Sequence, residues 1–134
     1  MTDSIENAIR QEFLLEADEL LENCEAAFLE LEQNPGNRGI LDQIFRLAHT
    51  VKGSGLAAGF DGLSAFAHKF EALLDAIRSD KVELRAEVID LLLRSNDQLS
   101  RYVSALHSDH NYVADCAELE AELEAMMLGS QQAG

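Results

Sequence analysis

The sequence predicts an all-α fold, an antiparallel up-down four-helix bundle with an additional fifth helix at the C-terminal end. Three observations support this prediction. The chain of 134 residues holds a single proline, which leaves too few turn signals for an all-β protein. Ala, Leu and Glu recur throughout, and all three are good helix formers. Apolar residues return every three or four positions in successive stretches, as they do in amphipathic helices.

The first predicted helix begins at about Asp3 or Ser4, either of which suits an N-cap, and ends at Gln33. The Asn-Pro-Gly-Asn segment at positions 34–37 then breaks the helix. One apolar stripe runs along it, and we expect that stripe to face the core: Ile9, Phe13, Ala17, Leu20, Cys24, Phe28 and Leu31.

The second predicted helix spans about Arg38 to Gly55, and its glycines weaken helix propensity at that end. Its expected inner face comprises Leu41, Ile44, Ala48 and Val51. The third helix spans about Asp61 to Arg78. Its expected inner face comprises Leu63, Phe66, Ala67, Phe70, Leu73, Leu74 and Ile77.

The fourth predicted helix spans about Arg85 to His107, and the fifth spans about Asn111 to Leu128. The expected inner residues of the fourth helix are Val88, Leu91, Leu92, Leu99, Tyr102 and Leu106. Those of the fifth helix are Tyr112, Cys116, Leu119, Leu123 and Met126. Short connections between long helices predict antiparallel neighbours. We therefore expect one domain over residues 1–128, followed by a flexible tail at 129–134.

The net charge of −15 disfavours binding to nucleic acid or to anionic membranes, since both require a basic surface. No apolar run approaches the roughly 20 residues that span a bilayer, and the acidic N-terminus is unlike a signal peptide. Cys24 and Cys116 occupy apolar positions of separate helices, which is typical of reduced core thiols. These features predict a cytoplasmic protein.

The charge is unevenly distributed along the chain. Residues 1–37 carry ten acids and one base, and residues 83–134 carry ten acids and three bases. Residues 38–82, in contrast, carry five acids and six bases. The middle third is therefore the part of the chain where an anionic phosphoryl group meets least repulsion.

His49 is the histidine with the most informative surroundings. It lies about 100° around the second helix from the core stripe, on a mixed and partly exposed face. Taken alone, such a histidine is typical of an ordinary surface residue. We expect His107 and His110, near the end of the fourth helix, to be exposed capping residues. The neighbours on the face of His49 are Asp42, Phe45, Arg46, Lys52 and Gly53.

The residues around His49 suit a phosphoryl acceptor. An attacking imidazole must be neutral, with one ring nitrogen free, and a carboxylate on the other nitrogen fixes the tautomer and raises basicity. Glu71 and His68, three apart on the third helix, are placed to face His49 across a groove. Lys52 offsets the charge of an arriving phosphate, and Gly53 keeps the surface low for a partner.

Two segments of the sequence resemble the histidine-phosphotransfer (HPt) domain of chemotaxis kinases of the CheA family. The first is His-Thr-Val-Lys-Gly-Ser-Gly at positions 49–55, followed by Gly59-Phe60. The second is Ala-His-x-x-Glu at 67–71. Phe-Leu-Leu-Glu-Ala at 13–17 also looks like the first helix of that family. The resemblance covers about residues 10 to 106.

The resemblance implies a role for each residue of the site. His49 is the phosphorylated residue, reacting through Nε2, and Glu71 holds its Nδ1–H. Lys52 contacts the phosphoryl group, and His68 supports the network. Gly53 gives the partner close access, and we expect Phe45, Arg46 and Leu56 to contact the partner as well.

The resemblance also implies partners. The phosphate comes from ATP through a histidine kinase catalytic domain and passes to an aspartate of a CheY-type response regulator. ATP and magnesium belong to those partners, so we expect no cofactor and no metal on this domain. No nucleotide-binding glycine loop is present, so we expect no kinase activity from this domain itself. The resemblance implies that the domain is part of a CheA-type histidine kinase.

Three other interpretations remain open from the sequence. One is a stand-alone phosphorelay HPt protein outside chemotaxis. A second is a metal-binding bundle that uses His49, His68, Glu71 and Asp75, although paired Glu-x-x-His motifs are absent. A third is a helical adaptor whose apolar stripes form only a core.

Overall fold

The computed structural model describes residues 2–133 and, among side chains, residues 4–128. Within that range the regular structure consists of helices alone, which confirms the all-α prediction. None of these helices is long and apolar enough to cross a lipid bilayer. The helices are α1 (Thr2–Gln33), α2 (Arg38–Ala57), α3 (Asp61–Arg78), α4 (Ala86–Ser108) and α5 (Ala117–Ala133).

The first four helices pack as an antiparallel bundle. Helix α1 contacts α2 and α4, and α3 contacts the same two neighbours from the opposite side of the core. Each connection is only a few residues long, so successive helices reverse direction and lie side by side. Helix α5 packs on the outside of the bundle against α3 and α4. The face that α2 and α3 share therefore stays clear of α5.

Both ends of α2 are fixed by local hydrogen bonds. Asn37 caps the N-terminus, where its Oδ1 accepts from the amide of Gly39 at 3.0 Å. At the C-terminus, Gly59 adopts a left-handed φ of 87°, and the amide of Phe60 donates to the carbonyl of Gly55 at 2.9 Å. This is a Schellman ending. The helix continues two residues past the predicted end at Gly55, because the left-handed residue is Gly59.

The predicted inner faces of α3 and α4 are confirmed in full, since each of those residues is buried. The stripe predicted for α1 needs correction at Ile9, which is 48% exposed. Arg10 donates to the carbonyl of Ala58, past the last turn of α2, so Ile9 lies at the end of the bundle, where fewer residues cover it. Because α1 contacts two helices, its buried face is also wider than predicted and includes Leu14, Leu21 and Ala27.

The fifth helix begins at Ala117, six residues later than predicted. Short-range bonds compete with helix formation in the preceding segment: Asp109 accepts from the amide of Asn111 at 2.9 Å, and the carboxylate of Asp115 accepts from the amide of Ala117 at 3.1 Å. Tyr112, predicted to face the core, is 43% exposed in this segment.

The C-terminal end of α5 also differs from the prediction. The helical backbone continues to Ala133, five residues past the expected end at Leu128. Residue 134 and the side chains from 129 onward lie outside the described residues. The flexibility of the tail at 129–134 therefore stays a prediction.

Ion pairs and one buried leucine hold α5 on the bundle. Lys69 on α3 pairs with Glu120 at 2.7 Å and with Glu124 at 2.6 Å, and these bonds raise its pKa to about 12. Arg94 on α4 pairs with Glu122 at 2.8 Å. Leu123 is 1% exposed and joins the hydrophobic core. The acidic helix is thus docked by both charge and apolar contact.

Candidate functional site

The site lies where α2 and α3 run side by side. His49 and Lys52 are three residues apart, so they share one face of α2. Glu71 reaches them from the middle of α3. The hydroxyl of the buried Ser64 on α3 donates to the carbonyl of Lys52 at 2.7 Å, which ties the two helices together at this level. The sequence pattern does not predict this contact, because a single serine on a helix is not a distinctive signal.

The imidazole of His49 is fixed at one nitrogen and open at the other. Nδ1 lies 2.6 Å from Oε2 of Glu71. An ionised carboxylate only accepts hydrogen bonds, so Nδ1 carries the proton and Nε2 is left with its lone pair. Within residues 4–128, Nε2 has no hydrogen-bond partner, and the side chain is 64% exposed. The free nitrogen is therefore accessible to a reagent from solvent or from another protein.

Glu71 is a buried carboxylate with a cation on its second oxygen. Its side chain is 11% exposed, and Nζ of Lys52 donates to Oε1 at 2.7 Å. Burial raises the pKa of the Glu71 carboxyl, but hydrogen bonds from Lys52 and His49 outweigh burial, and the pKa lies below its ordinary value. Glu71 is therefore ionised at neutral pH and can stabilise positive charge on the imidazole.

One face of the His49 ring lies alongside an aromatic ring. The rings of Phe45 and His49 are 6.2 Å apart between centroids, with an angle of 12° between their planes. The guanidinium of Arg78, from the end of α3, lies 4.1 Å from the centroid of Phe45. Phe45 had been predicted as a partner contact only. Its packing against Arg78 was not predicted, since the two residues are 33 positions apart in the sequence.

The surface around His49 is open along α2. A Cβ atom added at Gly53 would meet nothing within 4 Å, so the backbone there is exposed on the outer face. Leu56 is 59% exposed, and Arg46 is exposed with no ion pair among the described residues. The predicted partner-contacting residues thus lie on one accessible side of the helix.

The structure does not bring His68 into the network. Its side chain is exposed and makes no hydrogen bond with another described residue. The two hydrogen bonds that Glu71 accepts come from His49 and Lys52, and His68 donates none to it. The supporting role expected of His68 therefore stays a prediction.

The other histidines differ from the expectation of exposed caps. His107 is part of α4, and its Nε2 lies 2.7 Å from a carboxylate oxygen of Asp18 on α1. His110 packs edge-on against the ring of Phe60 at 5.9 Å. Neither residue forms a hydrogen bond or a ring contact with His49.

The four residues of the metal-site interpretation do not converge. Glu71 contacts His49, whereas His68 and Asp75 are exposed. Among the described residues, no group of three or more His, Cys, Asp or Glu side chains is arranged to hold a metal ion. The geometry therefore gives no support to a metal-binding bundle at this site.

Residues 8–133 match the family model described as Hpt domain. Two similar curated proteins are the chemotaxis proteins CheA of Treponema pallidum (strain Nichols) and of Rhizobium meliloti (strain 1021). The first is 38% identical over 90% of this chain and 15% of its own length. The second is 34% identical over 92% of this chain and 16% of its own length. The chain thus spans only 15–16% of these relatives.

Two solved structures have a similar fold. One is a solution structure of the histidine phosphotransfer domain of CheA, with a TM-score of 0.75 and 25% identity over 86% of this chain and 88% of that one. The other is the phosphorylated P1 domain of CheA3 in complex with CheY6 from R. sphaeroides. It has a TM-score of 0.78 and 20% identity over 95% of this chain and 98% of that one.

Proposed function

Because the chain belongs to the Hpt domain family, we propose that it is a phosphoryl carrier whose acceptor is Nε2 of His49. The donor is ATP, acting through a histidine kinase catalytic domain, and the recipient is an aspartate of a CheY-type response regulator. One observation supports this most directly. The 2.6 Å contact between Nδ1 of His49 and Glu71 leaves the exposed Nε2 as the free nucleophile.

Phosphorylation of His49 is a displacement at phosphorus. The lone pair of Nε2 forms a bond to the γ-phosphorus of ATP as the bond to the bridging oxygen breaks and ADP leaves. Positive charge develops on the ring while Nδ1 keeps its proton, and the adjacent Glu71 carboxylate stabilises that charge. In the second step a carboxylate oxygen of the receiver attacks phosphorus, and the electrons of the N–P bond return to Nε2.

Lys52 supplies positive charge beside the acceptor. Its side chain is 29% exposed, and Nζ donates to Glu71 in the unphosphorylated chain. When a phosphoryl group arrives on Nε2, a flexible lysine one turn away can turn toward it and form a charge-assisted hydrogen bond. The proposal keeps ATP and magnesium on the partner domains and assigns no cofactor to this one.

The partner surface in this proposal is the open side of α2, with Phe45, Arg46, Gly53 and Leu56 around the acceptor. The similarity to chemotaxis proteins CheA supports a donor domain that belongs to a chemotaxis kinase. The related CheA3 domain is described in complex with CheY6, which supports a receiver of that type as the recipient here. We expect both transfers to occur in the cytoplasm.

The proposal is tested by labelling with radioactive ATP and a cognate kinase domain. We expect the wild type to take up acid-labile phosphate and the His49→Gln variant to remain unlabelled. His107→Gln is a matched control, because His107 also hydrogen-bonds a carboxylate, Asp18, but lies between α1 and α4. Labelling of His49→Gln at the wild-type rate would assign the phosphate to a different residue.

The recipient is tested separately by incubating the phosphorylated chain with each receiver domain of the source organism. We expect the fastest transfer to go to a CheY-type receiver of the chemotaxis pathway. Preferential transfer to an unrelated receiver would instead indicate a phosphorelay outside chemotaxis.

A further inference from the structure

We propose that Arg78 is a positioning residue for His49 and that it acts through the ring of Phe45. This inference rests on the proposed function, since it concerns the orientation of the phosphoryl acceptor. Arg78 has no direct contact with His49 among the described residues. Any effect of Arg78 on the acceptor must therefore pass through a residue between them.

Three side chains of α2 form a column along one face. Asp42, Phe45 and His49 are spaced by three and four residues, so they lie one above the other. Arg78 approaches this column from the last turn of α3. Its Nε lies 2.9 Å from Oδ1 of Asp42, and its guanidinium lies over the Phe45 ring with Cζ 4.1 Å from the centroid.

Arg78 is itself held firmly. Its backbone carbonyl accepts a hydrogen bond of 2.8 Å from Nη1 of Arg38, at the start of α2. A cation also suits the C-terminal end of a helix, where the macrodipole is negative. The guanidinium is planar and can stack on an aromatic face while Nε forms an ion pair with Asp42, an arrangement that the ammonium of a lysine cannot reproduce.

The Phe45 ring transmits this restraint to His49. An exposed imidazole that is held only at Nδ1 can still pivot about that one hydrogen bond. The nearly parallel Phe45 ring, 6.2 Å away, restricts the pivot from one side. Arg78 covers the Phe45 ring and keeps it against the histidine. The consequence is that Nε2 points in a narrower range of directions, which favours in-line attack on phosphorus.

The test uses phosphoramidate, a small donor that requires no partner surface. Its P–N bond breaks as the bond from Nε2 to phosphorus forms, and ammonia leaves. We expect Arg78→Gln and Phe45→Leu each to slow this reaction by about two- to fivefold, the scale of an exposed cation–π contact. The double variant is expected to be no slower than Phe45→Leu alone, because Arg78 then has no ring to hold.

Two further variants separate positioning from general stability. Phe45→Tyr keeps the ring and should react at the wild-type rate. Arg94→Gln removes the same charge from an arginine that pairs with Asp90 and Glu122 and with no residue of α2, and it should also react normally. In NMR spectra, cross-relaxation between the ring protons of Phe45 and His49 should weaken in Arg78→Gln while the helical signals persist.

Four results would overturn the proposal: a normal rate for Arg78→Gln, a normal rate for Phe45→Leu, a slow Phe45→Tyr, or independent losses that multiply in the double variant. A normal rate for Phe45→Leu with phosphoramidate would leave Phe45 as a partner contact only. Failure of the proposed function gives a different result, in which wild type and His49→Gln react with phosphoramidate equally. If only His49→Gln is inert and all Phe45 and Arg78 variants react normally, the acceptor is correct and the positioning role is not.

Discussion

The carboxylate of Glu71 hydrogen-bonds His49 through one oxygen and Lys52 through the other, at 2.6 and 2.7 Å. The two donors come from adjacent turns of α2, while the acceptor comes from α3. Because the side chain of Glu71 is only 11% exposed, water and salt weaken these contacts less than they would weaken a surface ion pair. The arrangement fixes the direction in which the carboxylate faces the imidazole.

The first prediction concerns the rate of phosphorylation in Glu71→Ala. Loss of a charge-assisted hydrogen bond costs about 1.5–3 kcal/mol, so we expect transfer to His49 to slow by about 10- to 100-fold. His49 and Lys52 both reach solvent, so the domain should still fold, which circular dichroism checks. Phosphate incorporation over time gives the rate.

Asp75→Ala is the matched control for that experiment. Asp75 lies one turn further along α3 and is exposed, and it makes no contact with His49. Its removal changes the net charge by the same amount as Glu71→Ala. If both variants slow labelling equally, the loss of negative charge explains the effect, and Glu71 has no specific role.

The second prediction concerns stability in acid. Burial raises the pKa of Glu71, but the bonds from Lys52 and His49 bring it below the ordinary value of 4.5. The native state therefore holds this carboxylate charged where the unfolded chain binds a proton. The resulting stabilisation is complete above pH 4.5 and is lost as pH falls through the lower, native pKa.

Urea unfolding of wild type and Glu71→Gln at neutral and acidic pH measures this contribution. We expect the wild type to be the more stable at pH 7, and the difference in the free energy of unfolding to shrink as the pH falls below 4.5. A difference that stays constant over this range would show that the carboxylate is not preferentially ionised in the native state.

The placement of His49 beside Lys52 was predictable because it depends only on residue spacing within one helix. Three residues of spacing place His49 and Lys52 on one face of α2, and an antiparallel neighbour brings a carboxylate from α3. The contact between Phe45 and Arg78 was not predictable in the same way. It depends on the offset between α3 and α2 along their common axis, which residue spacing within either helix does not specify.

The third prediction concerns Gly53, whose Cβ position is open space. Alanine loses less backbone entropy than glycine in a helix, so Gly53→Ala should raise the free energy of unfolding by about 0.5–1 kcal/mol. The added methyl projects toward the docking partner. We expect transfer from the kinase domain to slow by up to about 100-fold while the reaction with phosphoramidate is unchanged.

Comparison of the two donors provides the control for Gly53→Ala. Equal slowing with the kinase domain and with phosphoramidate would place the effect in the imidazole itself. Unchanged rates with both donors would mean that the partner does not approach this part of α2.

The start of α5 shows that apolar periodicity alone does not locate the end of a helix. Tyr112 and Cys116 are four residues apart and fit a helical stripe, yet the segment at 109–116 is irregular. The Asp109 and Asp115 carboxylates accept hydrogen bonds from the amides two residues further on, and these bonds stabilise turns in place of a helix. Such short-range competition has no periodicity, so an apolar pattern alone extends the helix too far.

The fourth prediction separates the two ways in which α5 is held. Leu123 is 1% exposed in contact with the core, and Leu123→Ala should lower the free energy of unfolding by about 2–3 kcal/mol. Glu122 pairs with Arg94 at 2.8 Å, but both side chains are more than 40% exposed. Because solvent screens such a pair, Glu122→Gln should leave the urea midpoint close to that of the wild type.

Far-ultraviolet circular dichroism during urea unfolding measures both variants. A larger loss in Glu122→Gln than in Leu123→Ala would mean that charge, and not apolar burial, docks α5 on α3 and α4.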